Sequence, residues 1–383
     1  MERSTLTPFV KWPGGKTREL DVIWPQLPNQ IRTYYEPFLG GGAVYWAMPD
    51  QVEKFKINDR ASQLTDLYLR FQKQDQNKNF IDYLHAMNEI WIQLETLFDE
   101  VLCDQVNSLF LEVRAGRCTL DQVDNEVDQL VSQSRVDWLS DHWRINQSIF
   151  LAELKRRLSS KMKTMVRNET RKGLELNAHD VRANLLTGVK DGFYMYVRWL
   201  FNHPEHCTPV QQACVYYFIR MFCYSSMFRF NQSGAFNVPY GGMSYNRNHL
   251  TKKLEQMQSQ AVKLRLARTT ILSGDFEGLF EGDELTRDDF FFLDPPYDSE
   301  FSTYELNTFG EAEQRRLASF LIDTLSKRGN PKWMMVIKST SLIRSLYDHE
   351  SVRCYRFDKT YGVSFMDRND RAVEHLMFTN YDP

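Results

Sequence analysis

Phe290-Phe291-Phe292-Leu293-Asp294-Pro295-Pro296-Tyr297 is the stretch on which the fold turns. Four apolar residues ended by two prolines predict a strand buried on both faces. The prolines remove ladder donors and fix the backbone, so the strand stops at Leu293. Asp294 and Tyr297 are thereby set at the carboxyl end of a sheet strand, where open α/β sheets bind their ligands. A plain Pro-Pro turn capped by Asp294 would use the same residues, and the stretches that accompany it elsewhere in the chain weigh against that reading.

Two such stretches lie near the amino end. Residues 34–46 read Tyr-Tyr-Glu-Pro-Phe-Leu-Gly-Gly-Gly-Ala-Val-Tyr-Trp: a short strand, a glycine turn and a helix start. Gly40 and Gly42 let backbone approach a ligand closely. A dinucleotide fingerprint would need a glycine where Tyr45 stands, so a pyrophosphate cofactor is not expected. Glu36, Pro37 and Phe38 suit S-adenosylmethionine better, because that ligand has an amino-acid end. A second strand, 55–59, ends in Asp59, at the spacing where a carboxylate accepts hydrogen bonds from a ribose. Capping of a helix at 61–72 is the plainer role for Asp59. Residues 8–17, Pro-Phe-Val-Lys-Trp-Pro-Gly-Gly-Lys-Thr, suggest a phosphate loop, but Val10 stands where that motif needs glycine. Lys11, Trp12, Gly14 and Lys16 instead form a turn offering cations and an aromatic face to a cofactor, or a turn that only precedes a helix near Thr17.

The tip at 294–297 suits methylation of an exocyclic amine on a base. That nitrogen is a poor nucleophile because its lone pair is conjugated into the ring. Asp294 and the Pro295 carbonyl, the latter held rigid by Pro296, would accept both N–H bonds and localise the pair. The Tyr297 ring would stack on a flipped-out base.

Together, residues 11–16, 36–44, 58–59 and 294–297 resemble the Dam-type (D12 class, alpha-group) DNA adenine-N6 methyltransferases, in the family's order. The resemblance implies an α/β fold: a Rossmann-like S-adenosylmethionine-dependent methyltransferase sheet with a helical insertion and a target-recognition subdomain. It makes Asp275 and Phe276, at the end of a strand and turn over 270–276, contacts to the cofactor adenine. It places a DNA-reading hairpin over 224–241, with Tyr224, Met227, Arg229, Asn231 and Pro239 facing DNA. Arg229 would read a guanine edge, and Tyr224 would wedge into the stack beside the flipped adenine. Ser225 and Met243 depart from the family's GATC readers, which carry Asn and an aromatic there, so the recognition sequence stays open.

The catalytic domain is expected from 1–75 and 262–383, a helical insertion from 76–192 and the recognition region from 193–261. Ile81, Leu84, Met87, Ile90, Trp91, Leu94 and Leu97 recur at helical spacing. The stretch 155–172 is basic, with two open readings: it grips DNA phosphates, or it pairs with the acidic helices before it. One amphipathic helix is expected over 248–267, another over 311–328, and a strand over 333–338. The loop after Tyr297, 298–309, would close over the base. A terminal hairpin is expected between 363–365 and 374–381, and Arg368 and Arg371 in the loop before it could meet phosphate.

Length and composition bound the rest. The 383 residues suggest two or three domains. A net charge of −3 confines any DNA contact to local patches. The six cysteines show no zinc spacing and suit a reducing cytoplasm. No apolar run is long enough to span a membrane. No cysteine follows a proline, which argues against cytosine-C5 chemistry, and no metal is implied. The expected activity is transfer of the S-adenosylmethionine methyl group to adenine N6 in duplex DNA, in the cytoplasm at the nucleoid of a prokaryote or phage host. A cognate restriction endonuclease is a candidate partner, and oligomeric state is open. Rival readings are cytosine-N4 methylation, an RNA substrate, and a non-catalytic DNA-binding protein on the same fold.

Overall fold

The computed structural model describes residues 2–75, 78–133, 140–297, 309–360 and 372–383. Among the described residues seven strands form one sheet: β1 (Thr33–Glu36), β2 (Lys54–Asp59), β3 (Thr269–Ser273), β4 (Phe290–Leu293), β5 (Lys332–Lys338), β6 (Arg353–Thr360) and β7 (Ala372–Thr379). Their order is β3-β2-β1-β4-β5-β7-β6. The first five are parallel; β7 runs antiparallel to β5, and β6 antiparallel to β7. The chain winds outward from β1 through β2 to β3, then starts again at β4 and winds the other way. The reversal lies between β1 and β4, where open α/β sheets open a ligand crevice.

Every residue of β4 is buried, as its apolar run predicts. Phe291 stacks on Tyr35 of β1, ring centroids 4.3 Å apart and planes 5° off parallel. Phe291 and Leu293 join Trp333, Met335, Ile337, Phe320 and Phe378 in one cluster. Full burial of such side chains contributes about 1.5–3 kcal/mol each. The core therefore fixes the two strands whose ends carry the predicted chemistry.

Three expectations change. The terminal hairpin exists, but its first strand is β6, Arg353–Thr360; residues 363–365 lie outside the described residues. The helix expected over 248–267 is two, Thr251–Gln258 and Gln260–Ala267, because the Ser259 side chain caps the second. The helix near Thr17 is a single turn, Leu20–Ile23, tightening at once into Trp24–Gln26, which contains Pro25.

The chain forms two compact units. The first comprises Met1–Lys73, Met227–Arg229 and Gln256–Pro383; the second comprises Gln74–Ser226 and Phe230–Glu255. The second is helical, and the helix Ala178–Asn202 runs unbroken across residue 192. Gly188 and Gly192 let it approach the helix Gln147–Lys172, since a Cβ on Gly192 would lie 2.7 Å from the Leu154 Cα. Lys190 is fully buried, 4.1 Å over the Trp91 ring and 2.9 Å from Glu95, and burial lowers its ammonium to about 8. In the basic helix, Lys155 meets Asp128 at 2.5 Å, Lys163 meets Asp124 at 2.7 Å and Arg157 meets Asp191 at 3.5 Å. For Lys155 and Lys163 the pairing with the preceding acidic helices holds, whereas Arg157 pairs with the helix Ala178–Asn202 that follows. Among the described residues, no helix is long and apolar enough to cross a membrane.

Candidate active site

The crevice at the β1–β4 reversal is built from the glycine turn. β1 ends at Glu36, and Gly40 and Gly42 take φ of +49° and +67°. Left-handed backbone strains any side chain there. Contact adds to the restriction: a Cβ on Gly40 would lie 2.9 Å from Trp12 Cδ1, and one on Gly42 2.7 Å from Tyr68 Oη. Trp12 therefore packs on the turn. Gly14, at φ +77°, shapes the loop that brings Lys16 inward.

Carboxylates hold this turn. Asp59 accepts from Gly40 N at 2.8 Å and from Ala61 N at 2.9 Å, so it ties the glycine turn to the helix Ser62–Gln72. Its neighbour Asn58 donates to the Pro37 carbonyl at 3.1 Å and the Gly274 carbonyl at 3.0 Å. Glu36 points inward, 2% exposed, and accepts from Tyr34 Oη at 2.7 Å and Tyr45 N at 3.1 Å. Burial pushes the Glu36 carboxyl well above the usual range; the Tyr34 hydroxyl opposes this, and the charges of Asp294 and Asp59 add to it. A cation brought near would favour its ionised form.

Asp294 follows β4 directly and ion-pairs with Lys16. The lysine is buried; its Nζ also donates to the Gly14 carbonyl at 3.2 Å and lies 5.9 Å from the centre of the Tyr297 ring. Pro295 is buried and Pro296 exposed, its carbonyl accepting from Gln314 Nε2 at 2.8 Å. Tyr297 is half-buried, and its hydroxyl meets His375 Nε2 at 3.2 Å.

Asp275 and Phe276 follow β3. Phe276 is buried, with Phe38 at 5.5 Å and the Arg316 guanidinium 4.6 Å over its ring. Asp275 accepts from Glu277 N at 3.2 Å and ion-pairs with Arg316. Burial, the largest influence, would raise its carboxyl, but the Arg316 hydrogen bond, the Glu277 N–H and the charges of Arg316 and Arg60 together outweigh it and hold the carboxyl below the usual range. Phe38 is the more accessible ring beside this pair.

The first unit thus brings together Trp12, Gly14, Lys16, Glu36, Phe38, Gly40, Gly42, Asp59, Asp275, Phe276 and the 294–297 tip. Lys11 lies in the same loop as Trp12, half-buried. Four supporting residues carry no signal in the sequence pattern: Gln314, Arg316, His375 and Arg265. Arg265 is fully buried, donates to the Tyr45 carbonyl at 2.8 Å and to the Met48 carbonyl, and so caps the helix Ala43–Ala47 behind the glycine turn.

The predicted hairpin over 224–241 is not a continuous ladder. It is reduced to two isolated bridges, Cys223–Tyr240 and Phe230–Phe236. Ser225 and Ser226, at φ of +52° and +56°, turn the backbone out of strand geometry, and Pro239 has no N–H to pair. Tyr224 is exposed and donates its N–H to the Pro239 carbonyl at 2.9 Å. Asn231 builds the turn, its side-chain oxygen accepting from Ser233 N at 3.1 Å and Ala235 N at 2.9 Å. Arg229 and Pro239 are exposed, and Met227 half-buried. The loop predicted to close over the base, and Arg368 and Arg371, lie outside the described residues. Among the described residues no cluster of three or more His, Cys, Asp or Glu could hold a metal.

Comparison with known proteins gives a consistent result. The family model for D12 class N6 adenine-specific DNA methyltransferases matches residues 12–172 and 158–362. Type II methyltransferase M.CviBI of Paramecium bursaria Chlorella virus NC1A is 26% identical over 98% of the chain and 100% of its own length. Type II methyltransferase M.MjaIII of Methanocaldococcus jannaschii is also 26% identical, over 98% of the chain and 99% of its length. Retron Ec67 DNA adenine methylase of Escherichia coli is 33% identical over 45% of the chain and 56% of its length.

Proposed function

The chain belongs to the D12 class N6 adenine-specific DNA methyltransferases, and on that premise we propose that it methylates adenine N6 at specific sites in duplex DNA, with S-adenosylmethionine as donor. The observation that carries the reading is the convergence at the β1–β4 reversal. There the glycine turn and the Asp294 tip stand on adjacent parallel strands, with Lys16 on Asp294.

The residues present fit the donor. Gly40 and Gly42 keep the left-handed turn free of side chains, so a ligand can approach its backbone closely, and Glu36 and Asp59 are carboxylates suited to a cationic ligand. Phe38, Phe276 and Asp275 would hold its adenine, Asp59 its ribose, and Lys11, Trp12 and Lys16 its amino-acid end. S-adenosylmethionine supplies a methyl group made electrophilic by a sulfonium, so the chain need not supply a strong base. Asp294 and the Pro295 carbonyl accept the two N6–H bonds and localise the lone pair. Tyr297 stacks on the base. Alignment and exclusion of water do the rest. The N6 proton leaves by way of Asp294 to solvent.

Tyr224, Met227, Arg229, Asn231 and Pro239 would face DNA, with Arg229 reading a base edge and Tyr224 entering the stack. The name Type II methyltransferase on the relatives matched over their full length supports seeking a cognate restriction endonuclease as partner, and a DNA-methylating role would be exercised in the cytoplasm at the nucleoid. The test is a nucleoside digest, by mass spectrometry, of unmethylated duplex DNA incubated with the protein and labelled S-adenosylmethionine. Labelled N6-methyladenine is expected. Labelled N4-methylcytosine, or transfer to RNA alone, would overturn the reading.

A further inference from the structure

Tyr297 stands four residues beyond Leu293, the end of β4, so the sheet ladder does not fix the plane of its ring. Other groups hold the tip. Gln314, fully buried, donates to the Pro296 carbonyl, and Lys16 holds Asp294. The Tyr297 hydroxyl itself meets His375 Nε2 at 3.2 Å, with ring centroids 5.8 Å apart and planes at 71°.

His375 is placed to be rigid. It is fully buried and sits inside β7, paired with Lys338 of β5 on one side and Phe357 of β6 on the other. The Phe357 ring lies 5.8 Å from its own. Because β7 is antiparallel to β5, its first residues stand at the carboxyl edge of the parallel strands, level with Lys338, the last residue of β5. The reversal of one strand thus delivers a strand-borne imidazole to the edge where Asp294 emerges.

We propose that His375 is a positioning residue for methyl transfer: it holds the Tyr297 hydroxyl and so sets the plane of the ring on which the target base stacks. The hydroxyl donates when Nε2 is unprotonated and accepts when Nε2 carries a proton, so the contact survives either state. This inference rests on the assignment of Tyr297 to the stacking face.

A double-mutant cycle on the full-length protein tests it, using single-turnover methylation of unmethylated duplex DNA with tritiated S-adenosylmethionine. Y297F and H375L should each slow methylation about 2- to 12-fold, the worth of one neutral hydrogen bond. The double variant should be no slower than either single one, because both remove the same contact. H375Q, whose amide can reach the hydroxyl, should recover most of the rate even if H375L folds poorly, and donor affinity should be unchanged throughout. Multiplying losses, or a loss in H375L and H375Q with none in Y297F, would overturn the proposal by showing that His375 acts otherwise. Undiminished methylation by Y297A would overturn the assignment of Tyr297 itself, and the proposal with it.

Discussion

The crevice at the carboxyl edge of the sheet and the stretch from Cys223 to Met243 are built on opposite plans. In the crevice nearly every polar side chain is committed: Asp59 to two backbone amides, Glu36 to Tyr34 and Tyr45, Asn58 to two carbonyls, Lys16 to Asp294. The second stretch has two isolated bridges, two serines with left-handed backbone, and Tyr224 and Met243 exposed by 41% and 45%. Chemistry needs atoms held within a fraction of an ångström, so its support must be paid in before substrate arrives. A reader of DNA has to adapt to a deformable partner, and a stretch held by scattered turns and bridges in place of a continuous ladder suits that task. On this view a substitution in the crevice should damage rate or donor binding, while one in the reader should alter discrimination.

The sharpest test is Asp294→Ala. The variant loses the carboxylate that accepts an N6–H bond, and methylation should fall by about a hundredfold or more, the scale seen when one transition-state partner is removed. Donor affinity, measured by calorimetry, should change little. Equal loss of both would make Asp294 a structural counter-ion of Lys16 and break the division between chemistry and support.

Gly42→Ala attacks the support itself. A non-glycine residue at this φ costs about 1–2 kcal/mol, and its Cβ would also lie 2.7 Å from Tyr68 Oη. Thermal stability and donor affinity should both fall. Adding Tyr68→Phe should restore the part due to the clash and leave the backbone part. Full restoration would mean that the left-handed conformation is not what the glycine supplies.

The legibility of these parts in the sequence follows from how local their causes are. The end of β4 was readable because four apolar residues meet two prolines, and the glycine turn because Gly40 and Gly42 sit between a strand and a helix. β6 was missed because Arg353, Cys354 and Arg356 are exposed, leaving an edge strand without an apolar pattern. The break at Ser259 was missed because a single capping serine leaves the amphipathic period intact. Arg265 and His375 were invisible for another reason: their contacts lie 220 and 78 residues away, set by sheet order and not by neighbours in the chain. The aromatic-Asn pattern that suggests a hairpin is local, whereas the two left-handed serines that interrupt the ladder carry no compositional mark.

Arg229→Ala probes the reader. Site preference should relax by about 1–3 kcal/mol at one base pair, the worth of a bidentate arginine on a base edge. Sequencing of methylated random-site duplexes would measure it. The rate on the best site should change much less than in Asp294→Ala. Unchanged preference would remove Arg229 from readout and leave the contrast between the two regions without its functional half.

The smallest effect is expected from Ser225→Gly. Serine at φ +52° carries a steric cost that glycine does not. Glycine, however, has more unfolded-state freedom to lose, by about 0.5–1 kcal/mol. The two nearly offset, so folding stability should be unchanged or rise by no more than about 1 kcal/mol. Denaturant unfolding would read this, and the same variant assayed for site preference would show whether the left-handed backbone serves recognition. Relaxed preference at unchanged stability would sharpen the comparison, since the reader would then owe its geometry to local strain in place of a ladder. A marked loss of stability would break it, by showing that the Ser225 side chain supports this stretch as firmly as Asp59 supports the crevice.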